Sequence, residues 1–150
     1  MAKGSHLVEA DPLRRFTARI FEAHNSPPDE AMIVADHLVT ANLMGYDSHG
    51  IIRIPQYLGD IQQKVIRPGA PISLADETET TAIVDCGWNF GQVGGLKTME
   101  IALSKAKKGQ TAAVVARCCN HAGRLGAYTQ MAAEQGFFAL GVCNSPQHGH

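Results

Sequence analysis

No stretch of this sequence stays apolar long enough to cross a bilayer, and its start, Met1-Ala2-Lys3-Gly4-Ser5-His6, lacks the apolar core of a secretory leader. A membrane-spanning or exported protein is not expected. An excess of one charge sign is also missing. The 150 residues carry 13 Lys and Arg against 14 Asp and Glu, with no long basic run. That argues against nucleic acid and anionic lipid as partners. Cysteine is scarce: Cys86, Cys118, Cys119 and Cys143 form no C-x-x-C pair. Three of them lie in apolar, strand-like runs, which reads as reduced, buried thiols of a cytoplasmic protein. The competing readings are a vicinal Cys118–Cys119 disulfide and a thiol nucleophile. The dinucleotide fingerprint G-x-G-x-x-G is absent, leaving only Gly123-x-x-Gly126 and Gly91-x-x-Gly94-Gly95. Internal repeats and low-complexity tracts are absent too.

The remaining composition is that of a folded domain. It is 45% hydrophobic and 18% charged, enough apolar material for a core in a chain of this length. A first helix is expected with Asp11 as N-cap and Pro12 at its first position. Leu13, Phe16, Ile20 and Ala23 would form its inner face. A second helix opens with Asp29 and Glu30, where carboxylates suit the helix dipole. Its stripe is Ala31, Val34, Leu38, Ala41 and Gly45, widened by Met32, Val39 and Leu43. A third helix is expected over Ile54 to Val65. Arg67-Pro68-Gly69-Ala70-Pro71 then breaks the chain.

Beyond that break the pattern becomes α/β. Ile72–Ala75 and Thr80–Cys86 read as strands joined by Asp76-Glu77-Thr78-Glu79. A loop, Gly87–Gln92, precedes a helix from about Val93 to Lys107, with Leu96, Met99, Leu103 and Ala106 on one face and Gly109 as its stop. A strand Thr111–Ala116, a glycine turn, a helix within Leu125–Phe138 and a strand Phe138–Asn144 follow. The expected domains are a helical lobe over 1–66 and the start of an α/β lobe over 72–150. A chain stopping after such a strand reads as the N-terminal part of a longer protein.

Two clusters carry chemistry. In the turn, Asn120, His121 and Arg124 surround Gly123. A helix start offers free N–H groups and positive partial charge, so guanidinium and helix together suit a phosphate. A neighbouring cation lowers an imidazole pKa, which keeps a neutral base available. The competing reading is a helix start with glycines for close packing. In the second cluster, Arg53 could hold a carboxylate in a two-pronged contact, with Ser48 and His49 as donors. The competing reading there is a capping segment, Asp47 or Ser48 heading the third helix and Arg53 solvated. A metal site from His49, His121, His148 and His150 with Cys118 or Cys119 lacks any established ligand spacing, so no metal is expected.

Several segments in order resemble the type-2 malate/L-lactate dehydrogenases, most closely the hydroxycarboxylate dehydrogenase branch. They are Ala35-Asp36-His37-Leu38, Ala41-Asn42-Leu43, Asp47-Ser48-His49-Gly50-Ile51, Phe90-Gly91-Gln92, Asn120-His121-x-Gly123-Arg124-x-Gly126-x-Tyr128, Ala132-Ala133-Glu134-x-Gly136-Phe137 and Asn144-Ser145-Pro146. The resemblance implies a non-Rossmann α/β fold with a mixed sheet, NAD or NADP as cofactor, and hydride transfer to or from a small 2-hydroxy or 2-oxo acid. It implies a homodimer with the site between lobes. By match, His121 is expected as catalytic acid/base, with His49 as its partner or replacement and as a cofactor or substrate contact. Ser48 and Arg53 are expected on the substrate carboxylate, and Asn120, Gly123, Arg124 and Leu125 on the cofactor. One departure stands out: after Pro146 this chain reads Gln147-His148-Gly149-His150 where the family has an apolar-Ala-Pro segment. The alternatives are a truncated, non-catalytic domain of such an enzyme, and a metal-dependent hydrolase or lyase.

Overall fold

Proline and acidic residues open the first two helices. Helix α1 spans Ala10–Glu22 and α2 spans Pro28–Leu43, with Pro28 at its start and Asp29 and Glu30 in its first turn. The computed structural model describes residues 7–144. Glu9, not Asp11, stands at the N-cap of α1. Asp11 lies one residue inside, where its carboxylate takes a 2.8 Å ion pair from Arg14.

The inner face of α1 also differs from expectation. Thr17, Ala18 and Phe21 are buried, while Phe16 is 62% exposed. Both stripes have helical spacing, and packing against α2 selects between them. Phe21 inserts between Tyr57 and Phe90, its ring 5.5 Å from Phe90 in an edge-on arrangement and 6.4 Å from Tyr57. Burying such a ring contributes about 1.5–3 kcal/mol. Phe16, Ile20 and Ala23 instead line a shallow surface cleft. On α2, Ala31, Val34, Leu38 and Ala41 are buried as expected, joined by Ala35 and Val39. Met32 and Leu43 are exposed. Gly45 takes φ +79° after the helix end, which is its use there.

Two 3-10 turns follow, Asp47–His49 and Ile51–Arg53, and then α3 over Ile54–Gln62. Arg53, not Asp47 or Ser48, is the residue before α3. The helix ends short of Val65 because Lys64 turns into the left-handed region at φ 60°.

The second half is a three-stranded sheet. Strand β1 (Ser73–Glu77) runs antiparallel to β2 (Thr81–Asp85), and β2 runs parallel to β3 (Ala113–Arg117). Between β2 and β3 lies α4, Gly91–Gly109. A parallel pair needs such a crossover. The fold is therefore mixed α/β, helices first and a mixed sheet after. The turn between β1 and β2 is shorter than expected, since Asp76 and Glu77 pair in the ladder. Helix α4 begins two residues before the expected Val93, so Gly91 and Gln92 are helical and buried. Of its expected face only Leu103 is fully buried.

Three glycines explain how closely α4 lies on the rest. A Cβ on Gly91 would run into the backbone oxygens of Asn120 and His121. One on Gly94 would come 2.8 Å from the Cys86 sulfur and 3.2 Å from the Cys119 sulfur, and one on Gly95 would strike the Tyr128 ring. Helix α5 covers Gly126–Ala133, shorter than the apolar run suggested, because the chain reverses at Gly136 with φ +79°.

The expected strand over Phe138–Asn144 does not form among the described residues. Phe138, Leu140 and Val142 keep the alternation yet are 95%, 81% and 83% exposed. Alternation makes a strand only where the backbone pairs with a neighbouring edge; among the described residues this stretch pairs with none, although β3 ends the sheet with one edge open. The cysteines also divide differently: Cys86 is buried, Cys118 and Cys119 are half-buried, Cys143 is exposed, and all four are free thiols. Cys118 sits past the end of β3 with φ 50° rather than inside a strand. Ser145, Pro146, Gln147, His148 and His150 lie outside the described residues.

The two halves share polar ties as well as Phe90. Glu30 of α2 accepts 2.7 Å from the fully buried Asn89 side chain and 2.8 Å from the Gly69 amide. This hub fixes the chain just before α4 against the helices, and so sets where the loop after β3 comes to rest.

Candidate active site

Segments far apart in sequence converge on His121. Its Nδ1 lies 2.7 Å from the Tyr57 hydroxyl of α3. That hydroxyl accepts a 2.7 Å hydrogen bond from Gln92 Nε2 of α4. The His49 ring stacks on His121, centroids 5.5 Å apart and planes inclined by 28°. Ser48 Oγ lies 2.9 Å from His49 Nδ1. Arg53 donates to the Ser48 carbonyl at 2.6 Å and to Gln56 at 2.8 Å, which holds the 3-10 turns in place. Expected site residues from both clusters, Ser48, His49, Arg53 and His121, therefore meet at one corner. Asp47 does not cap α3: its carboxylate accepts 2.6 Å from Asn42.

Burial, then the Arg53 guanidinium and His49, hold the His121 pKa below its usual value. The ring is thus neutral near pH 7, as a base must be. Burial pushes the Tyr57 phenol up to about 12, so it stays protonated. Neither Tyr57 nor Gln92 was expected in the site from the residues themselves. Tyr57 had a signal: it stands four residues after Arg53, one helical turn along the same face. Gln92 had none beyond its place in Phe90-Gly91-Gln92.

The second part of the site is the turn before α5. Asn120 pins it from below, its side-chain nitrogen 2.7, 3.0 and 3.1 Å from the carbonyls of Trp88, Asn89 and Val65. Tyr128 holds it from above, donating 2.6 Å to the Ala122 carbonyl. His37 of α2 holds it from the side. The Arg124 amide donates 2.9 Å to His37 Nε2, which places the His37 proton on Nδ1. Gly123 has φ +71°, and a Cβ there would strike that same ring nitrogen. Arg124 has one weak side-chain bond, 3.4 Å to Gln130, and its guanidinium lies 5.9 Å over the Tyr46 ring. It opens on a cleft of about 280 Å³ that His37, Gln92 and Tyr128 also line. The first amides of α5 are partly used, Ala127 donating 3.0 Å to the Arg124 carbonyl and Tyr128 3.1 Å to that of Leu125, so it is the guanidinium, with little internal engagement, that fits a phosphate or diphosphate.

His37 also links this corner to pH. Burial first, then Arg124, lowers its pKa from 6.5 to about 4. The unfolded chain takes up a proton that the folded ring refuses, so its contribution to stability is lost as pH falls from 6.5 through about 4. Above 6.5 both states are neutral and the effect vanishes. Urea midpoints measured at several pH values are expected to fall over that window, and to fall less in His37→Gln. Equal slopes for the two proteins would refute this.

Over 138 residues the chain is 36% identical to a malate dehydrogenase of Pyrococcus abyssi, a match covering 92% of this chain and 38% of that protein. It is 38% identical over 139 residues to an L-sulfolactate dehydrogenase of Methanocaldococcus jannaschii, covering 93% and 40% respectively. The fold superposes on malate dehydrogenase from Pyrococcus horikoshii OT3 with a TM-score of 0.82 at 34% identity, covering 91% of this chain and 41% of that one. For sulfolactate dehydrogenase from Methanocaldococcus jannaschii the TM-score is 0.84 at 34% identity, covering 87% and 38%. The chain spans about two-fifths of the length of these relatives. With the malate/L-lactate dehydrogenase profile matching residues 8–149, the chain belongs to that family.

Proposed function

We propose that this chain supplies the acid/base half of a cytoplasmic oxidoreductase that moves a hydride between NAD or NADP and a small 2-hydroxy or 2-oxo acid. The observation that carries the reading is the half-buried His121, bonded at Nδ1 to Tyr57 and stacked on His49. Such a ring presents one free nitrogen to a bound substrate. The nicotinamide would accept or donate the hydride. Arg53 and Ser48 hold the substrate carboxylate, and His49 orients its oxygen. His121 takes the hydroxyl proton in oxidation and returns it in reduction. Gly123, Arg124 and Leu125 hold the cofactor diphosphate, and Asn120 supports them by fixing the loop. We further propose that 1–66 acts as a helical lobe and 72–150 as part of the cofactor lobe, with two copies forming a dimer around the site.

The test is a panel of 2-hydroxy and 2-oxo acids with NAD and NADP in turn, run on the complete protein and on the 150-residue chain. Reduced-nicotinamide absorbance is followed. Turnover of at least one acid is expected from the complete protein. No turnover of any of them would sink the reading. Turnover from the complete protein alone supports the second reading, a chain that folds without catalysing; the 38% coverage of its relatives favours that outcome for the chain by itself.

A further inference from the structure

Gln92 is 1% exposed, and its Oε1 has no hydrogen-bond partner among the described residues. An atom of this kind, buried without a partner, carries an uncompensated desolvation cost unless something uses it. Its own Nε2 donates to Tyr57, and Tyr57 contacts His121. The Tyr57 hydroxyl has one hydrogen to give. While Gln92 donates to it, that hydrogen goes to His121 Nδ1. The neutral ring then carries its proton on Nε2, where it cannot take another, and losing that proton would leave an imidazolate.

Acid/base work at Nε2 needs a different polarity. The ring must alternate between a neutral form with Nδ1–H and the imidazolium, and both forms carry a hydrogen on Nδ1. Tyr57 oxygen must then accept from His121, and the Tyr57 hydrogen needs a new acceptor. Gln92 Oε1 is the acceptor that a half-turn of the carboxamide brings into reach. Carboxamide orientation is a matter of the surrounding bonds, because oxygen and nitrogen have nearly the same size.

We propose that Gln92 is a positioning residue: it turns its carboxamide so that Oε1 accepts from Tyr57, which lets Tyr57 accept from His121 Nδ1–H and leaves His121 Nε2 to take and return the proton. This rests on the hydride-transfer reading above for its purpose, though not for its test. No proton passes through Tyr57; only the direction of two hydrogen bonds reverses. The charged or titratable groups facing His121 are His49 and Arg53 from the 3-10 turns, Tyr57 from α3 and His37 from α2. From α4 it meets the neutral Gln92 through Tyr57.

The experiment follows the His121 ring nitrogens by ¹⁵N NMR across its titration, without turnover. In the wild-type chain, the Gln92 side-chain amide signals are expected to shift with the same midpoint as His121. Gln92→Glu offers only acceptors and is expected to raise that midpoint by about 1–3 pH units; Gln92→Met offers none and is expected to lower it by about half to one unit. In the complete protein Gln92→Met is expected to cut kcat by about 10–100-fold while KM changes less than about twofold. Gln92 amide signals that stay still while His121 titrates would overturn the proposal. So would equal midpoints in wild type and either folded variant. If the midpoints move as expected but the wild-type protein turns over no acid, the hydride-transfer reading fails and the hydrogen-bond assignment stands.

Discussion

Alanine at His121 is expected to lower kcat of the complete protein by about 10²–10⁴-fold in both reaction directions, the usual worth of a positioned general acid/base. Substrate KM should change far less, because the proposed reading puts the carboxylate on Arg53 and Ser48, which His121 does not support. The wild-type rate of oxidation should fall at acid pH as His121 takes up a proton, with a midpoint below the usual imidazole value because burial, Arg53 and His49 all disfavour the charge. The alanine variant should lose that acid limb. Folding is not at stake, since the Tyr57 contact is the side-chain bond His121 makes here. Steady-state kinetics against pH, with circular dichroism as the folding check, decide the matter. Near-normal turnover in a folded His121→Ala protein would remove His121 as the acid/base. Loss of the same limb in His49→Ala instead would exchange the two roles.

A single methyl group at Gly91 is expected to do nearly as much damage from outside the chemistry. A Cβ there would occupy the space of the Asn120 and His121 backbone oxygens. These are main-chain atoms, not the movable end of a long side chain, and Asn120 is itself tied to three carbonyls. Either α4 or the loop must shift. The overpacking itself costs about 1–3 kcal/mol of stability. The larger effect is on His121, because a displacement of about 1 Å at a reacting group costs about 10²-fold in rate. Gly91→Ala should therefore show a fall of about 10²-fold in kcat with a modest drop in the urea midpoint. Gly59→Ala is the control, since a Cβ there meets nothing within 4 Å. Equal activity for the two variants would mean that the loop yields at no cost.

The sequence disclosed the fold class and both polar clusters, but not how they meet. Ser48-His49 and Asn120-His121 were visible as polar residues beside glycines. That the rings of His49 and His121 stack depends on α3 and α4 being held by Phe21, Phe90 and the Glu30–Asn89 hub, contacts too distant in sequence for periodicity to register. The inner face of α1 was misread for a related reason. Two apolar stripes share that helix, and only the neighbour decides which is buried. Strand Phe138–Asn144 was misread because alternation reports a preference for a sheet, not that the stretch pairs with one. Tyr57 and Gln92 were missed because a buried hydrogen-bond chain has no spacing signature. Each of its members lies on a different element.

The close seating of α4 has a consequence for how such a site can diversify. Gly91, Gly94 and Gly95 bring one helix against the loop, the two sulfurs and the Tyr128 ring with no side chain between. At Gly91 the contact is backbone against backbone, so that spacing is set by covalent dimensions rather than by rotamers. The Asp47–Arg53 segment is built differently, as two short turns with exposed side chains at Ser48 and Ile52. On the proposed reading, a scaffold divided in this way would let the substrate contacts change while the His121 loop stays in register. The malate and sulfolactate enzymes that this chain resembles at similar identity bear names of different acids on one fold.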